Sequence, residues 1–344
     1  MSGLRRRAGQ ELELLACAAV DPMELDAALP AHLQRVAGCG PVFMAAVDPV
    51  TLHFTRTSRT DISPDAAAEF LAHEIGVADV GKFRQLAVAP QSVETLYRVT
   101  DGAPQASARW RDVIEPLGWG DELRVALREG RHTWGFLCLH REAGEPAFTE
   151  QDVEAVERVV PALSAAFRRL SSTATAQTPV MSLRPAEPGV ILFAEDLSVR
   201  SMTDAALVWL DELGGDADAM PLVLTSIVAH ALASGRTGLV RISTRRGLTL
   251  TLHASPLREV QGAGVAVVLE PASPADALEL LAVAVRLTPR EIEVAVAISR
   301  GLSNRAMARS LRISEHTVQD HLKSIYSKLG VSSRAELAAR LLAT

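Results

Sequence analysis

Gln319, Asp320 and Lys323 lie close together in the stretch SEHTVQDHLKSIYSKLG, Ser314 to Gly330. At about 100° per residue of a helix they share a face with His316 and Ser327. Val318, Leu322, Ile325 and Leu329 fall on the opposite side, so one stripe suits a core and the other meets a partner or water. These polar groups make hydrogen bonds rather than covalent chemistry. No nucleophile elbow, GxxxxGK[ST] phosphate loop or metal-ligand spacing accompanies them, so an enzyme is not expected and no catalytic residue is assigned.

The other groups with chemical potential are scattered. His73, His132, His140, Cys39 and Cys138 would be the candidates for a metal or haem, but their spacing is irregular, and Cys138 sits in an apolar run of the kind that buries its cysteine. Neither a metal nor a cofactor is expected. Trp110, Trp119, Trp134 and Phe136 could line an apolar pocket, with core packing as the plainer reading.

At 344 residues the chain should hold two or three domains. Aromatic residues make up 4%, so an aliphatic, helix-rich core is expected. Three cysteines without paired spacing fit a reducing compartment. Glu11 and Glu13 interrupt what would be the apolar part of an export signal. No apolar run approaches the roughly 18 residues of a spanning helix. A cytoplasmic protein without membrane contact is expected.

Charge is unevenly placed. The whole chain carries −6, but nine basic against five acidic residues give Thr288–Thr344 a net +4, which leaves −10 on the rest. A basic tail on an acidic body points to nucleic acid at one end.

Three segments separate along the chain. In residues 1–170, GPVFMAAVDPVTLHF reads as strand, turn and strand, and ELRVALREGRHTWGFLCLHR as a hairpin turning at Glu129-Gly130. DAAAEFLAHEIG reads as a helix between them. A long amphipathic helix capped by Thr149 closes this α+β segment, with Val153, Val156, Val160, Leu163 and Phe167 as its apolar stripe and a kink expected at Pro161. That stripe would cover its own sheet or a second subunit. Residues 171–188 hold three prolines and no period, and read as a linker. Residues 189–272 read as strands turning at Glu195-Asp196, two helices, a hairpin turning at Arg246-Gly247 and a last strand, with the helices on one side of a small sheet. A connecting helix fills 273–287.

In 288–344, TPRE is a capping box with proline at the first helical position. Its helix should stop at Gly301, and Ser303 and Ser314 can cap two more helices separated only by Leu311, Arg312 and Ile313. Through LTPRE, GLSNRAMARSL, ISEHTV, His321 and KLGVSSRAEL, this segment closely resembles the LuxR-type helix-turn-helix family of bacterial transcription regulators. Gly is common where this chain has Arg312, which raises the question of a left-handed backbone there.

The resemblance implies a four-helix, all-α DNA-binding domain whose third helix lies in the major groove of double-stranded DNA. It places Gln319, Asp320 and Lys323 at base edges: Gln suits adenine, Lys guanine, and Asp the cytosine amine. Pairing with Lys323 or Ser324 on the helix surface is the alternative for Asp320. Ser303, Arg305, Arg309, Ser314, Thr317, His321, Lys328 and Arg334 are assigned to phosphate, about half of them expected to touch it. His321 lies nearer the buried edge. Leu337, Leu341 and Leu342 would pair two copies into a homodimer, or pack back on their own domain.

The closing pattern of the first segment, GDELRVALREGRHTWGFLCLHR followed by FTEQDVEAVERVVPALSAAF, resembles a GAF domain. GVILFAEDLSVRSMTDAALVWL resembles the start of a PAS domain. The implied protein is a one-component transcription regulator whose sensory domains receive an unidentified small-molecule effector or a protein, with RNA polymerase as a further partner. The alternative makes the N-terminal body a scaffold for oligomerisation or protein contact. Lys82, the one lysine before residue 170, lies in mid-segment, so a phosphoacceptor receiver domain is not expected.

Overall fold

The computed structural model describes residues 2–173, 187–215, 220–244, 248–258 and 263–342. Two helices open the chain, α1 (Ser2–Ala18) and α2 (Pro22–Ala37). Asp21 starts α2 by accepting from the amides of Met23 and Glu24 at 2.6 and 3.3 Å, and Gly38 ends it at φ +65°. There follow β1 (Val42–Val47), β2 (Phe54–Thr60), α3 (Pro64–Gly76), α4 (Phe83–Leu86), β3 (Val93–Thr95), α5 (Leu96–Val99), β4 (Trp119–Glu129), β5 (His132–Glu142) and α6 (Glu150–Thr173). The strands form one antiparallel sheet in the order β2-β1-β5-β4-β3.

Period-2 alternation buries both faces of this sheet. Val42, Met44, Leu137 and Leu139 join the core made with α1, α2 and α6, while Phe43, Ala45, Phe136 and Cys138 join the core on the other side. The expected aliphatic core is therefore only half the picture. Five of the eight phenylalanines, Phe43, Phe54, Phe70, Phe83 and Phe136, cluster on that second face.

The predicted stripe of α6 is buried at every position against the chain's own sheet and α1 and α2. Thr149 and Asp152 cap the helix reciprocally: Asp152 N–H donates to Thr149 Oγ1 at 3.3 Å, and Thr149 N–H to Asp152 Oδ2 at 2.8 Å. Gly135 in β5 lets α6 approach, since a Cβ there would stand 2.7 Å from the Phe167 ring. The helix runs past the expected boundary at 170 as far as Thr173; residues 174–186 of the expected linker lie outside the described residues.

A second antiparallel sheet contains β6 (Gly189–Ala194), β7 (Val199–Met202), β8 (Gly238–Ser243), β9 (Thr249–Arg258) and β10 (Ala263–Pro271), with α7 (Asp204–Glu212) and α8 (Leu222–Ser234) between β7 and β8 in sequence. Its order, β7-β6-β10-β9-β8, repeats the serial order of the first sheet. The turn expected at Arg246-Gly247 lies outside the described residues, but the flanking strands pair, Ser243 opposite Thr249. Helix α8 packs on this sheet and also on α3 and β2, so one apolar core runs through both halves.

Helix α9 (Pro274–Ala284) leads into α10 (Pro289–Ser299), α11 (Asn304–Leu311), α12 (Glu315–Leu329) and α13 (Arg334–Leu342). Leu278 and Leu281 of α9 share the core of Val294, Ile298, Met307, Val318, Leu322, Ile325 and Leu337. The chain is thus α+β through two sheets and all-α at its end. Among the described residues no helix is long and apolar enough to cross a membrane.

Candidate nucleic-acid interface

Helix α10 begins as TPRE requires. Thr288 Oγ1 accepts from the Glu291 amide at 3.3 Å, and Glu291 Oε2 accepts from the Thr288 amide at 2.6 Å. Glu291 also accepts from Ser324 Oγ and Lys328 Nζ, both at 2.6 Å, which ties α12 to the start of α10. Burial alone would raise its pKa, but the bonds from Lys328, Ser324 and Thr288 prevail and hold it down at about 2.

Ser303 caps α11 by accepting from the Ala306 amide at 3.3 Å. That helix ends at Arg312, which adopts φ +55°, ψ +48°, the left-handed conformation its place in the turn suggested, while Ile313 N–H donates back to Ala308 O at 3.0 Å. Ser314 then starts α12, accepting from the Thr317 amide at 3.0 Å. Val318, Leu322, Ile325 and Leu329 face inward and are buried. The opposite face is bare: His316, Gln319, Asp320, Lys323 and Ser327 are all exposed.

Asp320 lies 3.8 Å from Lys323 and 3.6 Å from His316. Such exposed pairs contribute roughly 0–1 kcal/mol, so another partner can displace them. Arg305, Arg309, Arg312, Ser314 and the acidic Glu315 line an open depression between α11 and the start of α12. Of the assigned residues, Arg305, Arg309 and Ser314 share this depression, Gln319, Asp320 and Lys323 lie exposed along α12, and Ser303 and Thr317 take part in the caps of α11 and α12. His321 is half-buried beside it. Arg312 was not assigned a contact from the sequence, where it registered only as a residue in place of glycine.

Two assigned cations are committed elsewhere. Lys328 Nζ donates to Arg286 O at 3.0 Å as well as to Glu291, and Arg334 donates to Asn304 Oδ1 at 3.2 Å and to Leu302 O. Leu337 is fully buried in its own domain's core, against α9 and α10. The side chains of Leu341 and Leu342 lie outside the described ones.

Of the histidines and cysteines weighed as ligands, only Cys138 and His140 come together among the described residues. Among the described residues, Glu122, Cys138 and His140 do bring donor atoms within 4.8 Å of one another. Glu122 Oε2, however, faces Arg109 at 2.7 Å and Arg124 at 3.0 Å, two guanidinium charges that repel a cation there. Burial pushes the Cys138 thiol up and His140 down to about 4, leaving both neutral. This ion network, extended by Glu74 at 2.7 Å from Arg124 and Asp79 at 3.4 Å from Arg109, had no local sequence signal because its members are far apart in the chain. Nor do the aromatic candidates share a pocket. Trp134 and Phe136 belong to opposite faces of the sheet, Trp119 lies tilted against His140 with ring centroids 4.2 Å apart, and Trp110 donates to Gly120 O.

These helices form a helix-turn-helix with an uncovered outer face. Residues 285–341 match the family described as bacterial regulatory proteins, luxR family, and residues 25–167 match the GAF domain, so the chain carries one domain of each kind. The transcriptional regulatory proteins YdfI and LnrK of Bacillus subtilis are 49% identical over 51 residues and 46% identical over 52, covering 15% of this chain and 24% of each relative. A similar stretch of a Mycobacterium bovis protein named as an HTH-type transcriptional regulator is 6% of that protein. The chain therefore spans less than a quarter of these relatives. The crystal structure of Escherichia coli SdiA aligns over 96% of this chain and 94% of its own at 11% identity, with a TM-score of 0.35 that establishes no common architecture.

Proposed function

We propose that the protein is a cytoplasmic, sequence-specific DNA-binding transcription regulator, with residues 288–344 as its DNA-binding domain, acting as a homodimer whose α12 helices enter successive major grooves. The observation that carries this reading is the bare face of α12. Gln319, Asp320 and Lys323 stand exposed on a helix whose other side is packed, and Arg305, Arg309 and Arg312 line a depression at the start of that same helix. Gln319, Asp320 and Lys323 would read bases. Ser303, Arg305, Arg309, Arg312, Ser314 and Thr317 would hold phosphates, and Lys328 and Arg334 would order the domain instead.

Residues 1–170 and 189–272 would be the sensory body, the second being PAS-like. Its strand order and its helices on one face support that reading. A small ligand or a protein would act there, and RNA polymerase would be the partner of the DNA-bound dimer. A scaffold role for the body is the second reading, favoured by Leu4, Leu14, Val20 and Met23, which stand exposed on and beside the first two helices.

Selection of binding sites from a random duplex pool by the full-length protein tests the main reading. The wild type should enrich half-sites about one DNA turn apart, and Q319A/K323A should lose preference at the bases it no longer reads, each lost contact being worth about 1–3 kcal/mol. Recovery of the same motif by both proteins would overturn the base-reading assignment.

A further inference from the structure

A cavity of about 150 Å³ lies where the first α+β domain meets the second. Its apolar floor is Phe54, Phe83 and Phe136. Facing them are His53, from the turn between β1 and β2, and His230, from α8, with ring centroids 4.7 Å apart. Lys82 and Arg84, at the start of α4, complete the polar side.

The balance of polar groups is one-sided. Glu74 is the single carboxylate among the lining residues, and both its oxygens are occupied, one by the Phe83 amide and the other by Arg124, each at 2.7 Å. Lys82 Nζ has no hydrogen-bond partner among the described residues, and Arg84 donates only to Thr51 O, at 3.1 Å, among the described bonds. What remains open to an occupant is two imidazoles, the Ser226 hydroxyl, an ammonium within the field of Glu74 and Asp79, and a guanidinium, over an aromatic floor. Burial lowers the pKa of both histidines, that of His53 to about 3, so they enter as neutral rings with an N–H to donate. A space of about 150 Å³ lined by apolar side chains accommodates a benzene-sized body.

We propose that this cavity binds a small organic carboxylate with a compact apolar body, about the size of benzoate, its carboxylate held between Lys82, Arg84 and His230 and its body against the three phenylalanines. Because the walls come from both domains, the occupant bridges them. The assignment rests on the reading of the body as a receiver of effectors, and it adds the chemical class and the place.

The test is calorimetric titration of the full-length protein with sodium benzoate and, separately, with benzyl alcohol, alongside thermal melts. Benzoate should bind, raise the melting temperature with the logarithm of its concentration once that exceeds the dissociation constant, and bind about tenfold or more tighter than the neutral alcohol. K82M/R84Q, altered at half-exposed or exposed positions, should melt like the wild type and bind benzoate about tenfold or more weakly; should it melt early, H230F, which fills the cavity from the second domain, must abolish binding. Absence of benzoate binding at millimolar concentration, equal binding of acid and alcohol, or wild-type affinity in these variants overturns the proposal. Duplex binding measured on the same samples separates the failures: an intact DNA complex with no benzoate binding sinks the cavity assignment alone, and absent DNA binding sinks the regulator reading.

Discussion

Gln319 and Lys323 take their places from a helical wheel, and the wheel was sufficient because the opposite stripe has no polar residue to blur it. The same wheel put Lys328 outside, yet its ammonium is drawn to Glu291. Angle about one helix axis does not tell which neighbouring helix end stands opposite. Glu291 shows what that contact does. Its folded pKa of about 2 lies below the ordinary 4.5, so its contribution is fully present above about pH 4.5 and fades as the pH falls toward 2. E291Q should therefore destabilise the helical domain at neutral pH by about 1–3 kcal/mol, as loss of a charge-assisted bond would, and the gap from the wild type should shrink in denaturant melts repeated down to pH 3. An equal gap at every pH would contradict the ion-pair account.

At the scale of elements, α10, α11 and α12 were legible because each announces its start with Thr288, Ser303 or Ser314, and the β4-β5 and β6-β7 hairpins because turn residues sit between alternating runs, although the first turns at Gly130-Arg131, one residue past the expected Glu129-Gly130. Helix α1 escaped notice: its buried face is Ala8, Leu12 and Ala16, too small a stripe to stand out. Strand order was not legible either, since pairing β1 with β5 joins residues almost a hundred apart. Two backbone positions give sharp expectations. R312G should leave the domain as stable as the wild type or up to about 1 kcal/mol more so, because glycine adopts φ +55° without strain, while weakening binding to any duplex if the guanidinium meets phosphate. Thermal melts and gel shifts on one preparation check both halves. G135A should cost about 1–3 kcal/mol, because the new methyl has only the space of the Phe167 ring and Ala45 O to occupy; G135A/F167L should recover part of it in chemical denaturation.

On the scale of the whole molecule, the split between an acidic body and a basic end was visible in the sequence, but the ties that join them were not. Asp48 of the first domain faces Arg241 at 3.6 Å, and Arg241 reaches Glu279 of α9 at 3.0 Å. Glu129, at the far end of β4, pairs with Arg168 of α6 and with Arg286 just before the helix-turn-helix. Each tie joins residues from distant parts of the chain, and local pattern says nothing of such pairs. They tie the first domain to the second and to the segments that lead into the helix-turn-helix. The most direct measurement of the central claim is the affinity of the full-length protein for duplex DNA across a salt series. The logarithm of the association constant should fall linearly and steeply with the logarithm of salt concentration, and replacing either arginine proposed to meet phosphate, Arg305 or Arg309, should reduce the slope by about one. No binding at low salt, or binding indifferent to salt, would contradict the account.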